Sequence, residues 1–293
     1  MDWDWNEDNH SATWQAMIPI IHLLIPHSQR WINFEMLTDL NWEPIFTFLF
    51  YTKMKLFAPQ LEVLSLSRCN AYLAVSGQTF HPERLREPIR LLGGLESALD
   101  SLTTVILVGV HVEWTNSLLR NLRRLEFKYH SSDVMPNADQ FRHIVEDSPA
   151  LHSLAIVGWG PILDLSVTYP EGMFLFPALK EFTFGFVDVN YAIRLLPLFH
   201  VPALQLLVLE DINPVISPLN AQNATPLLDL ISSSSSINSS TTSSTSTPIH
   251  LPAVSRLELR WIRAEKRAFS DFFRKLVHLR YLSYVNMRWT VSA

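Results

Sequence analysis

The sequence predicts a mixed α/β fold in which short strands and connecting helices alternate as stacked repeats, and two observations lead to this prediction. Apolar residues recur at relative positions 0, 3, 5 and 8, from a first unit at Trp31 to a last unit at Leu279. In five units, a proline stands two residues before position 0. The segment after Pro202 has both features, with its apolar positions at Leu204, Leu207, Leu209 and Ile212.

Nine units of this kind begin at residues 31, 61, 102, 122, 151, 179, 204, 254 and 279. Most of their spacings lie within or next to the roughly 20 to 29 residues of a leucine-rich repeat, whose L-x-x-L-x-L core is a short strand. One unit cannot bury its apolar side alone, whereas stacked neighbours share a core. We therefore expect a leucine-rich-repeat solenoid, a curved horseshoe with parallel strands on its concave side and helices or irregular turns on its convex side.

A closed or doubly wound α/β domain is the alternative, because it would also alternate strands with helices. It explains the repeated proline-to-leucine offset less readily. Proline cannot continue a preceding helix and biases its neighbour towards extended geometry, so it marks the return from helix to strand. Helix-compatible segments cover residues 14–27, 45–57, 139–147, 191–199 and 265–276.

Two segments interrupt the repeats, and one precedes them. Residues 70–90 contain Gly77, Pro82 and Pro88, which predicts an irregular insertion. Residues 232–247 are nearly all serine and threonine, which predicts a disordered loop because they cannot bury enough apolar surface. Residues 1–12 are acidic without periodicity, which predicts a disordered tail. Residues 13–293 are then one repeat domain.

Composition favours a folded intracellular chain. Hydrophobic residues make up 48% and charged residues 17%, and the net charge of -5 requires neither a nucleic acid nor a membrane as partner. The single cysteine, Cys69, indicates a reducing compartment. The longest apolar run, from Ala16 to Pro26, has about half the length that a bilayer requires. We expect a monomer in the cytoplasm, the nucleus or both.

The C-terminal part of the chain is more basic than the rest. From Leu251 to Ala293, nine lysines and arginines stand against three acidic residues, a net charge of +6. A solvated helix face accounts for this excess more simply than nucleic-acid binding, which needs several phosphate contacts from one contiguous patch.

The sequence predicts no catalytic, cofactor-binding or metal-binding residues. Gly93 and Gly94 form an isolated pair without the lysine of a phosphate-binding loop, and the histidines form no H-E-x-x-H motif. Cys69 could be a nucleophile or a core residue. Because it occupies position 8 of its unit, where a small buried residue would close the turn, core packing is the favoured interpretation.

The surface is therefore the expected site of function. Side chains at positions 2, 4 and 6 alternate away from the core and should line the concave face. The predicted partner-binding residues on this face are Arg124, Glu126, Lys128, Glu181, Glu210, Arg256, Glu258 and Arg260. Four tryptophans at or after strand ends could anchor an interface, but core packing is favoured for them: Trp114, Trp159, Trp261 and Trp289.

Four segments carry a resemblance to a known family: residues 148–151, 176–179 and 201–204, each with Pro-Ala-Leu running into a strand, and residues 27–31. They resemble the repeat region of fungal F-box-like leucine-rich-repeat proteins, and the resemblance covers roughly residues 14–289. In that family an N-terminal F-box docks on a ubiquitin-ligase scaffold while the repeats hold the substrate. The resemblance therefore implies a non-catalytic protein-binding adaptor.

The F-box itself lacks a counterpart in this chain. It would need a few tens of residues before the first repeat, and only about a dozen residues, four of them acidic, precede Trp14. We expect binding of the ligase scaffold only if an F-box is supplied. The alternative is a stand-alone leucine-rich-repeat scaffold or regulator with no link to a ligase. An enzyme would require a deep pocket with convergent polar groups.

Overall fold

A computed structural model describes residues 14–37, 58–69, 71, 74, 76–81, 83–89, 99–115, 119–216, 221–233, 251–286 and 288–290. These residues form a mixed α/β structure around a nine-stranded parallel sheet. The predicted tail at residues 1–12, the predicted helix at residues 45–57 and residues 234–247 of the predicted loop lie outside the described residues.

The main sheet consists of β1 (Asn33–Leu37), β2 (Val63–Ser67), β3 (Thr104–Val108), β4 (Arg124–Lys128), β5 (Ser153–Gly158), β7 (Glu181–Phe186), β9 (Leu206–Asp211), β10 (Arg256–Arg260) and β12 (Tyr281–Val285), in that spatial order. Two short parallel pairs accompany it: β6 (Phe174–Leu175) with β8 (Phe199–His200), and β11 (Arg263–Glu265) with β13 (Arg288–Thr290).

Among the described residues, six α-helices and several 3-10 turns accompany the strands. The helices are α1 (Trp14–Leu24), α2 (Ala138–Glu146), α3 (Val189–Leu195), α4 (Asn213–Ile216), α5 (Thr225–Ser233) and α6 (Lys266–Lys275). The 3-10 turns are Ile25–Arg30, Glu83–Leu85, Ser132–Val134, Leu196–Leu198 and Leu251–Ala253. None of the described helices is long and apolar enough to span a membrane.

All nine predicted units coincide with strands of the main sheet, because each strand begins at position 2 of its unit. Position 3 of one unit pairs with position 3 of the next, as Leu154 does with Phe182 and Phe182 with Leu207. The strands follow chain order across the sheet, without the reversal of a doubly wound domain. The predicted parallel strands and their shared register are confirmed.

One hydrophobic core lies between the sheet and its connecting segments. From β2 to β10, the side chains at positions 3 and 5 are at most 4% exposed. Phe141 of α2, Leu227 of α5 and Phe272 of α6 belong to the same buried cluster. At the β12 end, Leu282 and Tyr284 hold these two positions and are exposed, because no described segment covers them.

The helix predictions agree with the structure to within a few residues. α2 and α6 each differ by one residue at either end from predicted residues 139–147 and 265–276. The predicted loop begins too early, however, because Ser232 and Ser233 belong to α5. The Ser232 hydroxyl donates a hydrogen bond of 2.7 Å to the carbonyl oxygen of Leu228, and the side chain is buried. Ser232 and Ser233 therefore extend α5 and do not belong to the predicted loop.

Cys69 is exposed, which contradicts its predicted core position. Arg68 is buried instead, and its guanidinium donates to the carbonyl oxygen of His81 and lies 5.7 Å from the centre of the Phe80 ring. The chain leaves the sheet here to enter the insertion. Arg68 therefore fills the turn that Val110 and other position 8 residues fill elsewhere.

The described part of the insertion at residues 70–90 packs on the ends of the neighbouring strands. The indole Nε1 of Trp159, just after β5, donates a hydrogen bond of 2.9 Å to the carbonyl oxygen of Ala74. The backbone nitrogen of Phe80 donates to the carboxylate of Asp133, which follows β4, at 3.1 Å. Described residues 71–81 thus form a strap across strand ends, and we use that name for them below.

Two of the four tryptophans pack in the core. Trp114 and Trp159 are buried, and the indole Nε1 of Trp114 donates to the carbonyl oxygen of Val134 at 2.7 Å. Trp261 is half-buried, and the side chain of Trp289 lies outside the described residues. Core packing is therefore confirmed for the first two.

Candidate functional site

Side chains at positions 2, 4 and 6 of the nine strands share one side of the sheet, which we call the sheet face. Its centre is filled by small and apolar residues: Ala155, Val157 and Val208 are buried. At Gly185, an added Cβ would lie 3.0 Å from Val157 Cγ1 and 3.3 Å from Ile212 Cγ2. The centre therefore has no room for a larger side chain at Gly185, and the charged groups lie on either side of it.

Arg124, Glu126 and Lys128 form the first group, the β4 charge cluster. Arg124 Nε lies 2.7 Å from Glu126 Oε1, and Lys128 Nζ lies 2.5 Å from Glu126 Oε2. The side chain of Glu126 is 5% exposed, against 53% for Arg124 and 33% for Lys128. The prediction of an exposed Glu126 is therefore wrong, because its two neighbours bracket the carboxylate and cover it with their aliphatic stems.

The two cations also decide the charge of Glu126. Burial alone would raise the pKa of the carboxyl group, but the hydrogen bonds from Lys128 and Arg124 outweigh burial and hold the pKa below its ordinary value. Glu126 is therefore ionised at neutral pH. The β4 charge cluster carries two positive charges and one negative charge.

Glu210, Glu258 and Arg260 form the second group, the β9–β10 charge cluster. Arg260 Nη2 lies 2.8 Å from Glu258 Oε2, and Arg260 Nη1 lies 3.4 Å from Glu210 Oε2. Glu210 and Arg260 are register partners on adjacent strands. Burial raises the pKa of Glu210 by more than Arg260 lowers it. One cation thus holds two carboxylates, so this cluster has the opposite net charge from the β4 cluster.

Six of the eight predicted residues fall in these two clusters. The clusters are three strand spacings apart, about 14 Å. Glu181 and Arg256 belong to neither cluster. Both are exposed at position 2, where their strands begin. The Arg256 guanidinium lies 5.5 Å from the centre of the Tyr281 ring. The structure therefore brings most of the predicted residues together, but in two places.

A buried histidine near the end of β4 was missed by the sequence analysis. His130 Nε2 lies 2.9 Å from the carbonyl oxygen of Val110 and donates a hydrogen to it. The rings of Trp114 and Phe127 lie 6.1 and 6.4 Å away. Burial lowers the pKa of His130 to about 4, so the ring is neutral at pH 7. His130 occupies position 8 of its unit, which is apolar in most other units. This position could have indicated from the sequence that the histidine is buried.

We expect the free energy of unfolding to fall as pH decreases from about 6.5 towards 4, because the unfolded chain binds a proton at His130 that the folded protein excludes. A folded pKa of about 4 against 6.5 corresponds to a loss of roughly 3 kcal/mol. This stability is fully present above pH 6.5. Urea denaturation at a series of pH values measures it.

The matched control for this prediction is His130→Gln, whose amide can still donate to Val110 and does not titrate. His111 contributes in the same direction, since burial also lowers its pKa, and it is retained in both proteins. The variant should therefore lose less stability on acidification than the original chain. Equal losses in the two proteins would contradict the prediction.

Comparison with known proteins assigns no family, since no family model and no curated protein matches the chain. Within the described part of the chain, no three histidine, cysteine, aspartate or glutamate side chains group as ligands for a metal ion. The sheet face with its two charge clusters is the candidate functional site.

Proposed function

We propose that this chain is a non-catalytic protein-binding module whose partner contacts the sheet face. The observation that carries the proposal is the shared register of nine strands, which aligns positions 2, 4 and 6 from Asn33 on β1 to Val285 on β12. We include in the proposal the finer fold, a leucine-rich-repeat solenoid. Strands added in chain order with a constant register support it, because stacked repeats of this kind build extended binding surfaces.

A protein partner fits this face better than a small molecule. Ligand pockets are concave and enclose most of the ligand, whereas the centre of the sheet face is closed by buried residues such as Val157 and Val208. Charged side chains flank that centre on both sides. A broad surface of this kind suits protein interfaces, which usually bury about 800 Å² on each partner.

Recognition of a ligase substrate is our more specific proposal, and it rests on the resemblance to F-box-like repeat proteins. The three Pro-Ala-Leu segments that carry the resemblance have a common structural role here. Each leucine is a buried position 0 residue before a strand: Leu151, Leu179 and Leu204. The alternative proposal is a scaffold without a ligase link. Recovery of cullin scaffold components with the chain expressed together with its native upstream sequence would favour the first proposal, and recovery of partners without those components would favour the second.

A bulky substitution on the sheet face tests the proposed function. Thr183 is half-buried at position 4 of β7, so Thr183→Arg should block a partner without removing an ion pair. Ser270→Arg on the exposed side of α6 is the matched control. Affinity purification with quantitative mass spectrometry should lose the same bound proteins roughly tenfold with Thr183→Arg and retain them with Ser270→Arg.

Circular dichroism establishes that both variants are folded before they are compared. If Thr183→Arg retains every protein that the original chain retains, the sheet face is not the binding surface and the proposed function is wrong.

A further inference from the structure

The edge of the main sheet where the strands begin carries a row of cations. Its residues occupy positions 1 and 2 of six adjacent units, those of β4, β5, β7, β9, β10 and β12. We call the five basic residues in this row the basic rim: Arg123, Arg124, Lys180, Arg256 and Arg280.

Backbone hydrogen bonds hold this row in line. The carbonyl oxygen of Arg123 accepts from the backbone nitrogens of His152 at 2.8 Å and Ser153 at 3.1 Å. The carbonyl oxygen of Lys180 likewise accepts two hydrogen bonds from backbone nitrogens of the next strand. The same pair of hydrogen bonds recurs at this position along the sheet, from the carbonyl oxygen of Ile32 to that of Ser255. Neighbouring positions 1 and 2 are therefore fixed about 4.8 Å apart from strand to strand.

The row differs in charge from the rest of the chain. Its twelve residues include the five cations and one acid, Glu181, so the formal net charge is +4, whereas the whole chain carries -5. The same positions on β1, β2 and β3 include one acid, Glu62, and no lysine or arginine. The positive charge therefore begins at β4 and extends to β12.

Most of the basic rim has no carboxylate to neutralise it. Arg123, Lys180 and Arg280 are exposed, and no residue in the described ranges forms a salt bridge with them. Several cations elsewhere are paired, such as Arg274 with Asp271 at 3.0 Å. Arg256 lies over the ring of Tyr281, which is 50% exposed. The rim thus combines unneutralised positive charge with an exposed aromatic ring.

We propose that the basic rim binds a carboxylate-rich segment of the protein partner in an extended conformation. The proposal rests on the proposed function and adds the chemistry of the partner. Six strands span five spacings, about 24 Å, which matches about seven residues of extended peptide. Acidic side chains would face Arg123, Lys180 and Arg280, and an apolar residue would contact Tyr281.

An acidic peptide fits this row better than a nucleic acid does. Phosphate groups are commonly held by backbone N–H groups as well as cations, but along this edge the backbone nitrogens of positions 1 and 2 already donate to the neighbouring strand. Glu181 lies inside the row, next to Lys180, and would repel a regularly charged phosphate backbone. A peptide can place an uncharged residue opposite Glu181.

Fluorescence anisotropy with the full chain tests the proposal. The probe is a fluorescein-labelled peptide of about eight residues with alternating Glu and Leu and one Tyr, at about 50 mM salt. We expect saturable binding that weakens as salt is added. The Lys180→Glu, Arg280→Glu double variant should weaken it roughly tenfold or more, since each reversal replaces an attraction by a repulsion.

The control changes net charge equally but elsewhere. Arg263→Glu with Lys266→Glu alters two exposed cations near the other end of β10 and should leave affinity within about twofold. The proposal is overturned by absence of peptide binding, by equal losses in both double variants, or by tighter binding of a labelled eight-residue oligothymidylate than of the peptide.

This experiment fails separately from the test of the proposed function. If Thr183→Arg removes cellular partners while the peptide does not bind, the sheet face stands as the binding surface and the rim does not. If the peptide binds the rim while Thr183→Arg retains all partners, the rim binds acidic peptides and the sheet face is not the main interface.

Discussion

Phe182→Ala is expected to lower the free energy of unfolding by about 3 to 5 kcal/mol, the range for removal of a buried phenylalanine. Phe182 occupies position 3 of β7 and is 0% exposed. Its ring stacks on Phe199 at 5.2 Å and on Phe184 at 5.9 Å between centroids. Alanine would leave a cavity where units before and after β7 meet. Urea denaturation followed by circular dichroism measures the loss.

The control for this prediction is Phe182→Leu, which retains most of the apolar volume and should cost about half as much or less. A second comparison is Thr183→Ala, the next residue along β7, whose side chain points to the sheet face. If Phe182→Ala and Thr183→Ala cost the same, the two sides of the sheet have been assigned wrongly.

Asp211→Ala is expected to cost about 3 kcal/mol, because it leaves buried donors without an acceptor. Asp211 is 0% exposed at the end of β9. Its Oδ1 accepts from the backbone nitrogen and from the side-chain amide of Asn213, and its Oδ2 accepts from the backbone nitrogen of Gln222, all at 3.0 Å. Asn213 and Gln222 both donate in turn to the carbonyl oxygen of Val187.

Because the network joins the ends of β7 and β9, its loss should loosen two units together. Asp211→Asn keeps one oxygen in place, so it should recover part of the stability that Asp211→Ala loses. Thermal denaturation of the three proteins at pH 7 provides the comparison. Surface substitutions usually change the free energy of unfolding by less than about 0.5 kcal/mol. If Asp211→Ala changes it by no more than that, the network contributes little to stability.

The strands could be predicted from the sequence because each one has a characteristic pattern of apolar residues within a short segment. Leu207 and Leu209 are both buried because alternate side chains of β9 face the core, and Leu204 is buried just before the strand begins. The same holds for α2, where apolar spacing and the capping residue Asn137 lie within ten residues of each other. Burial that is determined by the secondary structure of one short segment can therefore be predicted from the sequence of that segment.

Other details of the candidate site depend on side-chain contacts that the repeat pattern does not encode, so they could not be predicted from it. Glu126 looks like any other position 4 residue until its two neighbours fold over the carboxylate. Cys69 is exposed while Arg68 is buried against His81 and Phe80 of the insertion, which lies outside the repeat pattern. The bond from Trp159 to Ala74 joins residues 85 positions apart, which no repeat pattern contains.

The strap affects the order in which the strands of this protein unfold. If the proposed repeats were joined only to their immediate neighbours, they would open one after another from an end. In the strap, the backbone nitrogen of Phe80 donates to Asp133, which follows β4, and the carbonyl oxygen of Ala74 accepts from Trp159, which follows β5. These two hydrogen bonds must break before β3 can separate from the sheet at the N-terminal end. Amide hydrogens from β2 to β5 should therefore exchange together as one cooperative unit, whereas β12 should unfold locally by itself.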